Sequence, residues 1–238
     1  MSSDKTNSTN STIGELLDQF SSGSPRKRRA LVQSVESRAE EIPSLGSKAL
    51  APYDPEGHDW AAGWILQVLK RHHPEELGKL IPDISDGWFT APSEVGIDYQ
   101  PLQDSLLSEH FEEADRFTSS VLRELAGEPA QSRGYVYFSE VPAMPDLDLC
   151  TLDRLWIAYS QGRFGFTVQA SLLNSLGGRY DRLWPRIGWK KDGEWTRYPN
   201  SFDWSINAPE GHMPLINQLR GVRLMDAVLS HPALISRR

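Results

Sequence analysis

The sequence predicts an all-α protein with a small N-terminal helical bundle and a larger helical core, and three observations support this prediction. Apolar residues recur at the three- and four-residue spacing of helices in several stretches of the chain. The strand-like residues 135–141 are few and have no evident partner strand, so a loop or turn fits them at least as well. Residues 82–93 contain many turn formers and are interpreted as a linker between the two units.

The N-terminal part is predicted to consist of a tail and a bundle. Residues 1–24 are rich in Ser, Thr and Asn, and we expect a mostly disordered tail with no more than a helical turn at residues 13–20. Residues 25–90 form the predicted bundle, whose first helix covers residues 30–42. The four cations at residues 26–29 are expected on a solvated face, although they oppose the dipole of this helix.

The second helix of the bundle is predicted over residues 59–72. Trp60, Trp64 and Val68 recur there at helical spacing. Asp59 is a suitable N-cap, and Pro74 is expected to end the helix because proline lacks the N–H that a helix interior needs.

Residues 91–238 form the predicted core domain. Its helices are predicted at residues 102–107, 111–125, 152–160, 166–176 and, lastly, from Pro214 onward. Asp148 or Thr151 can cap the third of them. Arg220 and Arg223 lie one turn apart on the last helix, so both guanidinium groups can reach one anion.

The aromatic side chains are concentrated in residues 135–204, which hold 14 of the 23 in the chain. Many of them fall in residues 188–211, where no helical or strand period is visible. Loops that long are usually functional or disordered, and the aromatic content disfavours disorder. Aromatic residues on loops either fold inward or meet a ligand with a flat apolar face, and both interpretations remain open at this point.

The charge distribution bears on the kind of ligand. A net charge of −7 argues against general affinity for nucleic acid. Residues 91–150 carry −9, whereas residues 179–238 carry +4 and overlap the aromatic segment. An apolar site edged with arginines suits a flat ligand that bears carboxylates, and the alternative is a solvated basic face.

The sequence shows no recognisable catalytic or metal-binding motif, neither a nucleophile elbow nor a phosphate-binding loop nor a paired-histidine zinc motif. Asp146, Asp148 and Asp153 invite a metal site, but acids at a helix start more simply stabilise the helix dipole. His212, close to Glu210, is either a general base or axial ligand, or a hydrogen-bonded structural histidine. We predict no catalytic residue and no metal site.

The sequence favours a cytoplasmic monomer. No apolar run approaches the roughly 20 residues that span a bilayer. The N-terminus lacks the apolar centre of a signal peptide and the arginines of a transit peptide. Cys150 is the single cysteine and is expected to be a small buried residue.

Several motifs, in order, closely resemble those of the genomes-uncoupled-four family of tetrapyrrole-binding regulators of chlorophyll synthesis. The resemblance is strongest in DLCTLDRLW (148–156) and YSQGRFGFTVQ (159–169). It extends over about residues 96–232, and its further motifs lie at residues 97–102, 111–115, 133–141, 183–189, 208–223 and 230–232. The N-terminal third is only loosely similar to the helical extension of cyanobacterial members.

This resemblance implies an all-helical, cupped-hand porphyrin-binding core with long loops. Its apolar palm is expected to hold protoporphyrin IX and magnesium protoporphyrin IX, with the arginines facing the propionates. Position 213 is often leucine in the family and position 198 often carries another aromatic residue, so both keep their apolar role. Carried over residue by residue, the palm consists of Phe138, Val141, Met144, Trp195, Tyr198, Phe202, Trp204, Met213, Asn217, Arg220 and Arg223.

The family also implies a function and a partner. Its members are not catalysts; they stimulate magnesium chelatase together with the large porphyrin-binding subunit of that enzyme. Two alternatives remain: an enzyme acting on tetrapyrroles with His212 or the Asp146/Asp148 pair as acid or base, and an interaction scaffold whose aromatic residues are all core. The sequence contains no basic amphipathic helix that could anchor the protein to a membrane. Apolar loops nevertheless allow a weak association with photosynthetic membranes.

Overall fold

The computed structural model describes residues 11–80, 87–216 and 221–237, and it confirms the all-α prediction. The α-helices are α1 Ile13–Ser22, α2 Pro25–Glu36, α3 Trp60–His72, α4 Pro74–Leu80, α5 Gln100–Leu107, α6 Phe111–Leu125, α7 Glu128–Arg133, α8 Asp146–Ala158, α9 Phe166–Ser175, α10 Tyr180–Arg186, α11 Gly221–Leu229 and α12 Pro232–Ile235. The 3₁₀ helices are Ala39–Ala49 and Val141–Ala143, and an antiparallel hairpin pairs β1 Lys190–Lys191 with β2 Glu194–Trp195.

Residues 13–22, which the sequence analysis assigned to a disordered tail, instead form α1. Thr12 and Glu15 build a capping box, in which each backbone N–H donates to the other residue's side chain at 2.8 and 3.2 Å. Phe20 is fully buried and meets the Trp60 ring edge-on at 5.6 Å. The helix is therefore stabilised at its start by the cap and along its length by packing on α3.

Helix α2 begins at Pro25 and ends at Glu36, so the predicted helix at residues 30–42 is shifted. Ser24 caps it, and Pro43 lies in the following 3₁₀ helix, since proline cannot donate the hydrogen bond of an α-helix interior. The prediction that all four cations are solvated is wrong for Arg28, which is largely buried and binds Asp59 and the carbonyl of Ser21.

Helix α3 is predicted correctly, and it joins the bundle to the core. Asp59 accepts a hydrogen bond from the Ala61 N–H as the N-cap, and α4 starts directly at Pro74. Gln67 is buried and donates to the carbonyls of Leu106 and Tyr159 at 2.9 and 2.8 Å. One continuous hydrophobic core runs through both parts. The division at residues 90 and 91 into two domains remains a prediction.

Helices α5, α6 and α9 agree with their predicted spans within two residues, whereas α7, α10 and the hairpin were not predicted. Helix α8 starts at Asp146, six residues before the predicted start. Asp148 does not cap it; its carboxylate accepts hydrogen bonds from the Ser93 hydroxyl, the Glu94 N–H and the Tyr99 hydroxyl.

The final helix does not start at Pro214 as predicted. Residues 214–216 are not helical, and α11 begins at Gly221. The carbonyl of Pro214 accepts a hydrogen bond from Gln169 at 2.8 Å, and the N–H of Leu215 donates to Asp115 at 2.6 Å. Side chains of the core therefore satisfy the backbone groups that a helix would have used.

Candidate functional site

A cavity of about 600 Å³ opens between α6, α11 and two loops. We call residues 134–145, between α7 and α8, the first loop, and residues 187–216, after α10, the second loop. The walls are mostly apolar and come from all four elements, with Leu122, Val136, Met144, Trp195, Tyr198 and Leu224 as the main contributors. Ligand sites in proteins have this size and this mainly apolar lining.

An ion pair fixes the first loop. Arg133 Nη2 lies 2.7 Å from Glu140 Oε2, and the same carboxylate accepts the Tyr137 N–H at 2.7 Å. Burial alone would raise the pKa of Glu140, but these hydrogen bonds outweigh it and the pKa is lowered. The Arg133 guanidinium also lies 4.1 Å from the centre of the Tyr137 ring. These contacts between Arg133 of α7 and the loop residues Tyr137 and Glu140 hold the first loop in one conformation.

The hairpin and a stack of tryptophans support the part of the second loop that faces the cavity. Trp184 and Trp189 are buried, with parallel rings 5.6 Å apart. Trp195 packs on Trp184 at 5.4 Å and carries the ammonium of Lys190 over its ring at 4.5 Å. Its side chain remains 41% exposed, so one face is available to a ligand.

Three further aromatic residues of the second loop pack on one another. Tyr198 lies 5.6 Å from Phe202 and 5.8 Å from Trp204, and Phe202 stacks on Trp204 at 5.4 Å. Phe202 also packs on the imidazole of His212 at 4.7 Å and is buried. Tyr198 lines the cavity, whereas Phe202 and Trp204 support it from behind.

The predicted palm residues therefore fall into four groups. Met144, Trp195 and Tyr198 line the cavity, and Phe138 is exposed beside the Arg223 guanidinium, 5.6 Å from its ring centre. Four predicted palm residues do not line the cavity: Val141, Phe202 and Met213, which are buried, and Trp204, which is half-buried. Asn217 and Arg220 lie outside the described residues.

Two cations that the sequence analysis did not single out also line the cavity. Arg123 projects from the last turn of α6, and Arg197 lies between Trp195 and Tyr198. Neither forms an ion pair with an acidic side chain within the described ranges. Arg197 was detectable from its position in the aromatic segment, but Arg123 stands in an ordinary amphipathic helix and gave no signal.

A buried carboxyl group lies directly behind this wall. Asp115 of α6 is fully buried, and its Oδ1 accepts the N–H of Leu215, a lining residue. Burial raises the pKa of Asp115 to about 7, while the hydrogen bond from the Leu215 N–H and the nearby Tyr198 hydroxyl act in the opposite direction. Burial and the neighbouring Asp115 raise the pKa of Tyr198 to about 12.

Residues that the sequence analysis weighed for catalysis or metal binding, and the single cysteine, have structural surroundings. The Nδ1 of His212 is 2.6 Å from the carbonyl of Ile187, and burial lowers the pKa of this histidine, which favours the neutral ring. Asp153 accepts hydrogen bonds from Thr167 and Arg237. Burial raises the pKa of the Cys150 thiol. Within the described ranges, no three His, Cys, Asp or Glu side chains are grouped as a metal site.

A second, more open groove of about 810 Å³ lies between residues 87–92 and α8. Its buried cation, Arg154, already donates to the backbone carbonyls of Glu56, Gly57 and Thr90. The charge of this arginine is therefore committed to the fold rather than to a ligand. Among the described residues, no helix has both the length and the apolar character needed to cross a membrane.

Comparison with known proteins gave consistent results. Residues 92–232 match the family model described as GUN4-like. The chain is 40% identical over 222 residues to the Ycf53-like protein of Synechocystis sp., a match that covers 92% of this chain and 95% of that protein. It is 40% identical over 144 residues to the chloroplastic tetrapyrrole-binding protein of Arabidopsis thaliana, which covers 57% of this chain and 54% of that protein.

Solved structures match about three fifths of the chain. The structure of GUN4 from Chlamydomonas reinhardtii aligns with a TM-score of 0.58 and 37% identity, covering 61% of this chain and 93% of that one. The ligand-free structure of Arabidopsis thaliana GUN4 aligns with a TM-score of 0.54 and 38% identity, covering 60% and 98%. These matches confirm the resemblance found in the sequence motifs.

Proposed function

The chain belongs to the GUN4-like family, and from this premise we propose that it binds a tetrapyrrole in the cavity between its two loops. The proposed ligands are protoporphyrin IX and magnesium protoporphyrin IX. In this proposal the protein is a non-catalytic regulator: it delivers or presents the porphyrin to the large porphyrin-binding subunit of magnesium chelatase and so activates that enzyme.

One observation carries the proposal, namely a mostly apolar cavity of about 600 Å³ that combines aromatic faces with two arginines, neither of which has an acidic partner among the described residues. A porphyrin presents two wide apolar faces and two carboxylates at one edge. Burying about 300 Å² of apolar area contributes roughly 7 kcal/mol at about 25 cal/mol/Å². Association costs remove much of this, so micromolar affinity or somewhat tighter is expected.

The cations match the acidic edge of such a ligand. Arg123 and Arg197 line the cavity, and Arg223 lies next to the leucine of α11 that also lines it. Together with Arg220, which the sequence resemblance assigns to the same site, they offer guanidinium groups that bind carboxylates in bidentate fashion. The printed name of the Arabidopsis relative, a tetrapyrrole-binding protein, supports the same ligand class.

A regulator fits the chemistry of the site better than an enzyme does. His212 uses Nδ1 for the backbone of Ile187, and Asp148 uses both carboxylate oxygens for Ser93 and Glu94. His212 and Asp148, two of the three groups that the enzyme alternative names, are therefore engaged in holding the fold together. An interaction scaffold with only core aromatic residues fits less well, because Trp195 and Tyr198 remain 41% and 39% exposed.

Titration of the purified protein with deuteroporphyrin, a soluble porphyrin, tests the binding step. We expect quenching of tryptophan fluorescence and a shift of the Soret band at micromolar concentrations. Absence of both changes at tens of micromolar would end the porphyrin proposal.

A reconstituted magnesium chelatase assay tests the regulatory step. Adding the protein is expected to raise the rate of magnesium insertion, while the protein alone produces no porphyrin conversion. A conversion by the protein alone that His212→Ala or Asp148→Ala abolishes would replace the regulator with an enzyme.

We further propose a cytoplasmic location with weak, reversible membrane contact through the exposed Tyr137 and Phe138 of the first loop. Cosedimentation with vesicles of anionic lipid is expected to recover a minor fraction of the protein. Equal recovery of a Phe138→Ser variant would exclude this loop as the contact.

A further inference from the structure

One buried side chain connects helix α6 to two separate parts of the cavity wall. Asp115 Oδ1 accepts the N–H of Leu215 at 2.6 Å, and the Tyr198 hydroxyl lies at the same carboxyl group. Both Tyr198 and Leu215 line the cavity. The other oxygen, Oδ2, is buried and has no hydrogen bond of standard geometry to the described residues.

Helix α6 provides a rigid base for these contacts. Thr118 lies about one helical turn after Asp115. It accepts a hydrogen bond from Trp156 Nε1 at 2.9 Å and donates to the carbonyl of Ala114. Phe111 and Ala114 are buried in the core. The carboxyl of Asp115 is therefore fixed in position, whereas Tyr198 and Leu215 lie in parts of the second loop that are neither helix nor strand.

We propose that Asp115 is a positioning residue, which holds the second loop in its porphyrin-binding conformation, and that its protonation makes binding depend on pH. The inference rests on the proposed function. It adds a residue outside the porphyrin contacts that acts through Tyr198 and Leu215.

The pKa of the Asp115 carboxyl places its titration in the pH range where binding can be measured. With a pKa of about 7, raised by burial, Asp115 changes its charge in the physiological range. The charged or titratable groups that act on it are Glu112 and Arg116 of α6 and Tyr198 of the second loop; Leu215 contributes only its N–H.

A porphyrin on Tyr198 brings two negative charges towards this carboxyl. Their repulsion disfavours the carboxylate and raises its pKa further, so binding takes up a proton. The affinity is therefore expected to fall as the pH rises from 6 to 8.

Deuteroporphyrin titrations at pH 6, 7 and 8 test the inference with four variants of the full chain. Asp115→Asn mimics the protonated acid, and Asp115→Ala removes the acceptor of the Leu215 N–H. Tyr198→Phe keeps the ring but removes the hydroxyl. Glu113→Gln is the matched control, because it removes one negative charge from an exposed position of the same helix. Ratios of variant to wild-type affinity at each pH cancel the titration of the porphyrin itself.

The expected result is a threefold to tenfold loss of wild-type affinity between pH 6 and pH 8, with Glu113→Gln behaving like wild type. Asp115→Asn should bind like wild type at pH 6 and more tightly than wild type at pH 8. Asp115→Ala should bind several-fold more weakly throughout. Tyr198→Phe should shift the midpoint of the pH dependence upward, because it removes a nearby hydroxyl that lowers the pKa of the carboxyl.

Parallel pH profiles for wild type and Asp115→Asn, with an unchanged midpoint in Tyr198→Phe, would overturn the inference while leaving porphyrin binding intact. If Asp115→Ala does not fold, the Asn and Phe variants still decide. A wild-type protein that binds no porphyrin at any of the three pH values would instead contradict the proposed function, and the inference with it.

Discussion

The contact between α3 and α8 and the wall of the cavity are built in opposite ways. At the helix contact, Gly63 lies against the backbone of Ala158, and buried Gln67 satisfies two carbonyls. In the cavity wall, irregular loops are held by single side chains, chiefly Glu140 in the first loop and Asp115 in the second. The difference predicts that changes in the first region affect stability, and that changes in the second affect binding.

The largest effect is expected from Gly63→Ala. A Cβ at this position would overlap the carbonyl oxygen of Ala158, so the two helices must separate. We expect the free energy of unfolding to fall by about 3 kcal/mol, an upper value for overpacking, in urea denaturation. Gly78→Ala is the matched control: its Cβ meets nothing within 4 Å, so a small gain in stability is expected. Equal stability of the two variants would remove the close contact from the account.

The next largest effect is expected from the carboxyl of Asp115, which is buried behind the cavity wall. The pKa of Asp115 is raised from 3.8 to about 7 in the folded protein, so the folded state holds the proton more tightly than the unfolded chain. The stabilisation is fully present below about pH 4, is lost as the pH rises to about 7, and stays constant above it. Thermal unfolding should therefore show wild type losing stability relative to Asp115→Asn as the pH rises from 4 to 7. A stability difference between the two proteins that does not change with pH would contradict the burial of an ionisable carboxyl.

Charge reversal at the cavity is expected to affect binding without affecting the fold. Arg123→Glu places a negative charge where the proposed ligand has carboxylates, and we expect about a tenfold weaker deuteroporphyrin affinity, which corresponds to about 1.4 kcal/mol. Arg182→Glu, an exposed position on α10, is the control and should bind normally. The difference should shrink at high salt, since exposed charges are screened. Equal affinities would exclude Arg123 from the site.

The smallest effect is expected from the ion pair of the first loop. Glu140→Gln weakens the contacts to Arg133 and the Tyr137 N–H, so the loop samples other conformations. We expect a severalfold loss of porphyrin affinity, measured by fluorescence titration, with a change of less than about 1 kcal/mol in the free energy of unfolding. A larger loss of stability than of affinity would show that this loop stabilises the fold, and it would contradict the claim that changes in the cavity wall mainly affect binding.

The sequence was informative where one face of a helix is buried. The apolar stripes of α3 and α6 predicted their bounds closely, and Asp59 identified the cap of α3. Helix α10 was missed because its seven residues are too few to show a period. Pro214 suggested a helix start that Gln169 and Asp115 prevent by binding the backbone on either side, and such long-range contacts leave no local pattern.

The aromatic segment predicted the region of the site but not the role of each residue. Trp195 and Tyr198 face the cavity, whereas Phe202 and Trp204, which have the same composition signal, lie behind it. Arg123 was not detectable, because it comes from a helix distant in sequence and resembles any exposed arginine. Burial and orientation depend on packing between elements, which the sequence encodes only collectively.

A crystal structure of the protein grown with deuteroporphyrin tests the central claim most directly. The account predicts the macrocycle between the two loops, with a face against Trp195 and Tyr198 and carboxylates directed at Arg123, Arg197 or Arg223. A macrocycle in the groove beside Arg154 would contradict it. So would an empty cavity, closed by the aromatic residues of the second loop, in crystals grown with saturating ligand.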